Sequence, residues 1–348
     1  MTPMNQGATG LVRDERYLAH HMGPGHPESP RRLEAIHALL DREPGLPLKR
    51  IEARPATREE IEAVHAHEYY GYVASTAGCE YVSIDQDTAA TARTFETALL
   101  AAGGVLAAVD AVLSGEARNA LALVRPPGHH AESNQAKGFC FFNNVAVAAR
   151  HLLQSRGLSR VLIADWDLHH GNGTQHAFYD RRDVLFFSTH QSPLFPGTGS
   201  WDETGWGEGQ GFTVNVPLRP GKTDGDYRFL YRNLLGPIAE AFEPQFILVS
   251  AGFDIGRGDP LGGMRVSTEG FAALAAELKS LAETLCGGRL VLVLEGGYDL
   301  PVLAAGVRSV LGQLAGIEPP PAVAADPSLE TQKEIMPVFD IQRSFWPL

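Results

Sequence analysis

Four apolar runs of strand length constrain this chain most: residues 121–124, 161–164, 246–250 and Leu290–Leu294. Each is continuous rather than alternating. A strand with one face in water alternates apolar and polar residues, whereas a strand covered on both faces does not. Stretches of helical period lie near 88–113, 143–155, 225–242 and 268–285. Strands alternating with helices predict a mostly parallel sheet with helices on both sides. Ser29-Pro30 reads as the opening of a helix running toward Glu43, with Pro at its first position. Thr57-Arg-Glu-Glu60 reads as a capping box for a second helix, expected to carry His65 and His67. The expected fold is a single-domain three-layer α/β/α sandwich over residues 1–316. Residues 317–348 are expected to form a Pro-rich linker and a tail, whose Phe339, Phe345 and Trp346 pack on the domain or on a neighbouring subunit.

Composition narrows the class. The 348 residues allow one large or two medium domains at roughly 150 residues each, and no composition shift divides them. Asp plus Glu number 41 against 29 Lys plus Arg, a net charge of -12. That balance argues against a nucleic-acid partner and favours cationic substrates. Lys and Arg form no stripe with interleaved aromatics. Three cysteines (Cys79, Cys140, Cys286) are too scattered for a disulfide framework or a thiolate zinc site. Residues 1–17 lack the apolar region of a signal peptide. The stretch from Ala98 to Leu113 carries Asp110 and is expected to fall short of a membrane span. A soluble, cytoplasmic protein of a reducing compartment is expected.

Each apolar run leads at once into a polar cluster. These are Arg125-Pro-Pro-Gly-His129-His130, Asp165-Trp-Asp167-Leu-His169-His170-Gly-Asn172, Ala251-Gly-Phe-Asp254 and Glu295-Gly-Gly-Tyr298. Ligands of open parallel sheets bind outside the carboxyl ends of the strands, so four such ends would converge on one rim. Asp165, Asp167 and His169 at i, i+2 and i+4 would share one side of an extended segment. Two carboxylates and an imidazole are metal-ligand chemistry, and Asp254 could complete the set. Oxygen and nitrogen donors without thiolates suit Zn²⁺, and Fe²⁺ or Mn²⁺ nearly as well. Asp165 is read as support rather than ligand, and His170 as structural. His129 and His130 are the natural general base and acid. Gly296-Gly297 lets the backbone approach a ligand, and Tyr298 could donate to a developing oxyanion. His20, His21 and His26 lie in a Gly/Pro-rich loop read as bordering the pocket.

Read together, RPPGHHAE, GFCFFNN, DWDLHHGNGTQH, FPGTG, SAGFD, GDPLGG and LEGGY occur in the order found in the zinc-dependent histone deacetylase family of the arginase–deacetylase superfamily. The chain resembles that family from His26 to Tyr298, in wording closest to its class II and bacterial amidohydrolase members. The resemblance implies Asp167, His169 and Asp254 as zinc ligands, His129 and His130 as base and acid in an order left open, and Tyr298 as the group polarising the acyl carbonyl. It implies that Asp165 orients His129 and that Asn172 partners His130, where class I members carry Asp. It further implies a site for potassium or another monovalent cation involving Asp165, Asp167, His169 and Ser188. An acyl-lysine tunnel would be lined by Gly138, Phe139, Phe195, Gly296 and Gly297, with Leu261 at its rim. Ser83, Asp85 or Asp87 would anchor the substrate backbone.

The reading is a metal-dependent amidohydrolase that removes acetyl or acyl groups from lysine side chains of proteins or peptides. An acetylpolyamine amidohydrolase is the closest competitor, since net negative charge suits a polycation. A catalytically silent acyl-lysine binder is disfavoured because both the tyrosine and the ligands are present. A binuclear ureohydrolase is disfavoured because a second bridging Asp-rich motif is missing. Homo-oligomerisation is left open, and no nucleic-acid or membrane partner is expected.

Overall fold

In the computed structural model, which describes residues 7–348, the four apolar runs are neighbours at the centre of one sheet. In chain order the strands are β1 (Thr9–Val12), β2 (Leu48–Ile51), β3 (Val82–Ser83), β4 (Ala89–Ala90), β5 (Ala120–Ala122), β6 (Val161–Asp165), β7 (Val184–Gln191), β8 (Thr213–Leu218), β9 (Phe246–Ala251) and β10 (Leu290–Leu294). The main sheet has the order β2-β1-β5-β10-β9-β6-β7-β8, and every adjacent pair is parallel. β3 and β4 form a separate antiparallel pair. Every residue of β5, β6, β9 and β10 is buried, which is why these strands carry no polar face.

The helices are α1 (Arg31–Arg42), α2 (Arg58–Glu62), α3 (His67–Ser75), α4 (Thr94–Leu113), α5 (Asn144–Gln154), α6 (Asn172–Phe178), α7 (Asp224–Leu230), α8 (Gly236–Phe242), α9 (Thr268–Cys286), α10 (Leu300–Ala315) and α11 (Leu329–Gln342). α4 and α5 pack on one face of the sheet; α1, α10, α9 and α7 form the other layer. The result is a single-domain α/β sandwich whose central strands all end on one rim.

Several boundaries differ from the sequence reading, each for a local reason. Pro30 caps α1 instead of opening it, and α1 begins at Arg31. The capping box at Thr57 opens a helix of only five residues, so His65 lies between α2 and α3 and His67 begins α3. The His65 ring is held instead by the Glu132 carbonyl and the Asn143 amide. The 88–113 stretch divides into β4, a Thr91–Thr94 turn and α4. The 225–242 stretch contains a π-helical turn, Tyr231–Leu235, just before Pro237, where a missing N–H removes one α-helical bond.

Because α4 starts at Thr94, it is 20 residues long, with a window of mean hydropathy 1.7. Among the described residues it is the one helix long and apolar enough to cross a membrane, which corrects the shorter estimate made from Ala98. Here 72% of that window is buried within the fold. Residues 1–6, part of the segment read for a signal peptide, lie outside the described residues. At the other end, α11 lies along the edge strand β8. The Trp346 indole donates to the Gly211 carbonyl at 2.8 Å, and Gln342 reaches the Thr213 carbonyl.

Candidate active site

The polar clusters beyond β5, β6, β9 and β10 meet at one cavity. β6 ends at Asp165, so the following residues are not an extended strand, and alternation is not what gathers their side chains. Instead, Asp165 Oδ1 accepts from the Asp167 amide and Asp167 Oδ1 accepts from the His169 amide. These successive Asx-type turns curl the backbone. They direct Asp165 toward His129, and Asp167 and His169 toward Asp254. His170 turns away to Thr198 and Gln175.

His169 Nδ1 lies 3.2 Å from Asp167 Oδ1 and 3.2 Å from Asp254 Oδ2. One donor atom from each of the three residues falls within 4.8 Å of the others. Asp254 Oδ2 is buried and has no hydrogen-bond partner. Burial, with the Asp167 charge beside it, pushes the Asp254 carboxyl up to about 7. Against burial, the Asp167 and Asp254 carboxylates raise the His169 ring to about 9, so this buried cluster draws in positive charge. It fits a divalent cation, and its oxygen and nitrogen donors fit Zn²⁺ or Fe²⁺.

Beside it, the His129 and His130 rings lie with centroids 4.0 Å apart. Their Nδ1 atoms have different partners: Asp165 Oδ2 at 3.0 Å for His129, and Asn172 Oδ1 at 2.8 Å for His130. Burial lowers the pKa of His129, but the Asp167 and Asp165 carboxylates outweigh it and raise the ring to about 10. Burial and the neighbouring His129 and His169 hold His130 well below the ordinary histidine range. One imidazole is therefore cationic and the other uncharged near neutrality.

A cavity of about 260 Å³ opens above this floor, lined by His129, His130, His169, Gly296 and Tyr298 below and by Gly138, Phe139, Leu194, Phe195, Leu261 and Asp87 toward its mouth. Gly138 is required: a Cβ there would stand 2.5 Å from the His130 ring and 3.0 Å from Phe195. A Cβ on Gly296 would meet Asp254 Oδ2 at 2.2 Å. Phe139 itself sits at φ 69, an uncommon conformation for a bulky residue that turns the ring into the wall. Burial raises the Tyr298 phenol well above its usual range, so it remains a donor. Of Ser83, Asp85 and Asp87, only Asp87 reaches the cavity. Gly297 lies just behind the wall at φ 120.

The remaining candidates are placed as follows. Ser188 faces Asp165 across β6 and β7 as its register partner, and its hydroxyl pairs with His190 Nδ1 at 3.0 Å. Of the loop histidines, His26 reaches the rim, with Nε2 on the Asp87 carbonyl and its ring 4.7 Å from that of Phe139. His20 is buried against Thr94 and Glu28 and does not border the cavity.

Sequence reasoning passed over a buried ionic frame behind the cavity. Glu295 Oε2 accepts from the amides of Gly128 and His129, and its Oε1 accepts from Ser250. Arg32 donates to the carbonyls of Glu295 and Gly297. Glu28 pairs with both Arg32 and Arg125. Charged residues are seldom fully buried, but nothing in HPESPRR announces burial. The available signal was Arg125 and Glu295, each directly following a continuous apolar run.

Comparison with known proteins agrees with this geometry. The histone deacetylase domain model matches residues 26–314. A probable deacetylase of Archaeoglobus fulgidus is 43% identical over 84% of this chain and 82% of its own length. Histone deacetylase 15 of Arabidopsis thaliana is 40% identical over 98% of this chain. The chain spans 63% of that plant protein and 44% of histone deacetylase HDA1 of Candida albicans, which is 37% identical. The crystal structure of the HDA15 HD domain superposes with a TM-score of 0.91 at 40% identity, covering 98% of this chain and 96% of that one. The chain thus belongs to the histone deacetylase family of amide hydrolases.

Proposed function

We propose that the protein is a zinc-dependent deacetylase that hydrolyses the amide of Nε-acetyl-lysine in proteins or peptides. The observation that carries this reading is the juxtaposition, at the floor of one cavity, of the Asp167–His169–Asp254 donor set with an uncharged His130 and the Tyr298 phenol. A divalent cation held by those three residues would polarise the acyl carbonyl and lower the pKa of water to about 7. Phe139 and Phe195 would grip the apolar stem of the lysine, with Asp87 at the mouth to receive substrate amides. Tyr298 would donate to the acyl oxygen as negative charge grows there. His130, uncharged, would accept a proton from the attacking water and deliver it to the leaving amine. His129, cationic against Asp165, would stay charged and stabilise the anionic transition state. Asp165 and Ser188, with carbonyls near Asp167 and His169, would hold a monovalent cation such as potassium behind this floor.

An acetylpolyamine substrate is the second reading, supported by the net charge of -12. The rim favours lysine. Leu261 is apolar, and Lys137 Nζ lies 5.3 Å above the Phe195 ring, adding a cation near the mouth. The test is a panel of acetyl-lysine peptides, longer acyl-lysines and acetylpolyamines on zinc-loaded enzyme, with Tyr298→Phe alongside. Acetyl-lysine turnover that falls roughly 10²–10³-fold in Tyr298→Phe, at unchanged metal content, is the expected result. No turnover of any acyl-lysine by the wild type would overturn it.

A further inference from the structure

The Asn172 carboxamide lies between two unlike neighbours. Its Oδ1 is 2.8 Å from His130 Nδ1, while its Nδ2 donates to Glu132 Oε1 and to the His130 carbonyl. Glu132 is in turn held by His176, whose Nδ1 lies 2.9 Å from both carboxylate oxygens. His176 follows Asn172 by one turn of α6, so both side chains meet Glu132 from one helix face.

This arrangement has one consistent proton assignment. A carboxylate and a backbone carbonyl only accept hydrogen bonds, so both must face the NH₂ end of the carboxamide. The amide oxygen is then left toward His130. An acceptor opposite Nδ1 selects the neutral ring that carries its proton there, leaving Nε2 bare. Without Glu132 the carboxamide could turn over, present NH₂ to Nδ1, and put the proton on Nε2, where the ring can no longer accept.

We propose that Glu132 is a positioning residue: through Asn172 it locks His130 in the Nδ1–H tautomer, keeping Nε2 as the acceptor that faces the cavity. The inference rests on the deacetylase reading for its effect on rate, though not for the tautomer itself. It is tested on zinc-loaded, ¹⁵N-histidine-labelled enzyme by long-range ¹H–¹⁵N correlation, with the His130 signals assigned by their loss in a His130 variant. The wild type is expected to show a protonated Nδ1 and a bare Nε2. In Glu132→Ala the His130 nitrogens should shift toward a mixture of tautomers. Its kcat should fall about tenfold with KM within twofold, a rise of ~1.4 kcal/mol in barrier height. Glu132→Gln, which can still offer an oxygen to Asn172, should recover most of both readouts. If Glu132→Ala does not fold, Glu132→Met keeps the volume without an acceptor and carries the same expectation. Unchanged His130 nitrogen signals in the variant without an acceptor would overturn the proposal, even with the enzyme fully active. A wild type inactive on acyl-lysines but with a Glu132-dependent tautomer would overturn the deacetylase reading and leave this one standing.

Discussion

The guanidinium carbon of Arg32 lies 5.0 Å from the centroid of the Tyr298 ring, while its Nε donates to the Gly297 carbonyl at 2.7 Å. A second donor, Nη2, reaches the Glu295 carbonyl. A residue from the start of α1 therefore holds the backbone from which Tyr298 projects. Lysine keeps the charge but lacks the planar fork that spans two carbonyls. Arg32→Lys is expected to lower kcat about tenfold, roughly 1.4 kcal/mol, without changing metal content. Steady-state kinetics beside elemental analysis checks this. Unaltered kcat would reduce Arg32 to a buried partner of Glu28.

The donor set makes its own demand. Asp254 supplies one of three converging atoms, and its Oδ2 has no other partner. Asp254→Ala is expected to lose most bound zinc together with activity. Chelation of the wild type should lower its melting temperature, since an ion bound only by the folded state stabilises it. Full metal occupancy in the variant would show that these three residues are not the ligands.

Leu261, which lines the cavity, gives the proposed substrate choice its test. An apolar side chain at the mouth packs on a lysine stem but cannot pair with a second amine. Diffuse attraction from the net charge of -12 is screened near 0.15 M salt, where the Debye length is about 8 Å. Acyl-lysine substrates should be preferred at that salt, and Leu261→Glu should move the ratio of kcat/KM toward acetylpolyamines. A wild type preferring acetylspermidine by about tenfold or more, near 1.4 kcal/mol, would contradict this.

Acid sensitivity should trace in part to His65. Burial lowers its pKa from 6.5 to about 4. Its bare Nε2 accepts from the Asn143 amide, and Nδ1 donates to the Glu132 carbonyl. Between pH 6.5 and about 4 the unfolded chain binds this proton and the folded chain does not. Stability therefore rises with pH across that window and is lost as pH falls through it. The full effect is at most roughly 3 kcal/mol at 1.36 kcal/mol per unit. Denaturant midpoints at pH 7 and pH 5 should differ more in the wild type than in His65→Gln. Equal differences would remove His65 from the account.

Much of the site is legible in the sequence, because its chemistry sits in contiguous motifs at the ends of fully buried strands. Asp167, His169, His129-His130 and Tyr298 stand where a parallel sheet delivers side chains to one rim. Continuous apolar runs mark β5, β6, β9 and β10 through simple burial. β7 is buried from Val184 through His190, but its polar Ser188-Thr189-His190 end broke the pattern. Tertiary structure alone decided three things. It set the curl of residues 165–170, which follows from side-chain-to-backbone hydrogen bonds rather than from strand alternation. It buried Glu28, Arg32 and Glu295, whose charges find partners up to 265 residues away in sequence. It also divided two adjacent histidines into one cationic and one uncharged ring. That last distinction follows from the Asp167 and Asp165 carboxylates around His129, and from burial beside His129 and His169 for His130, and adjacency in the chain holds no information about those placements.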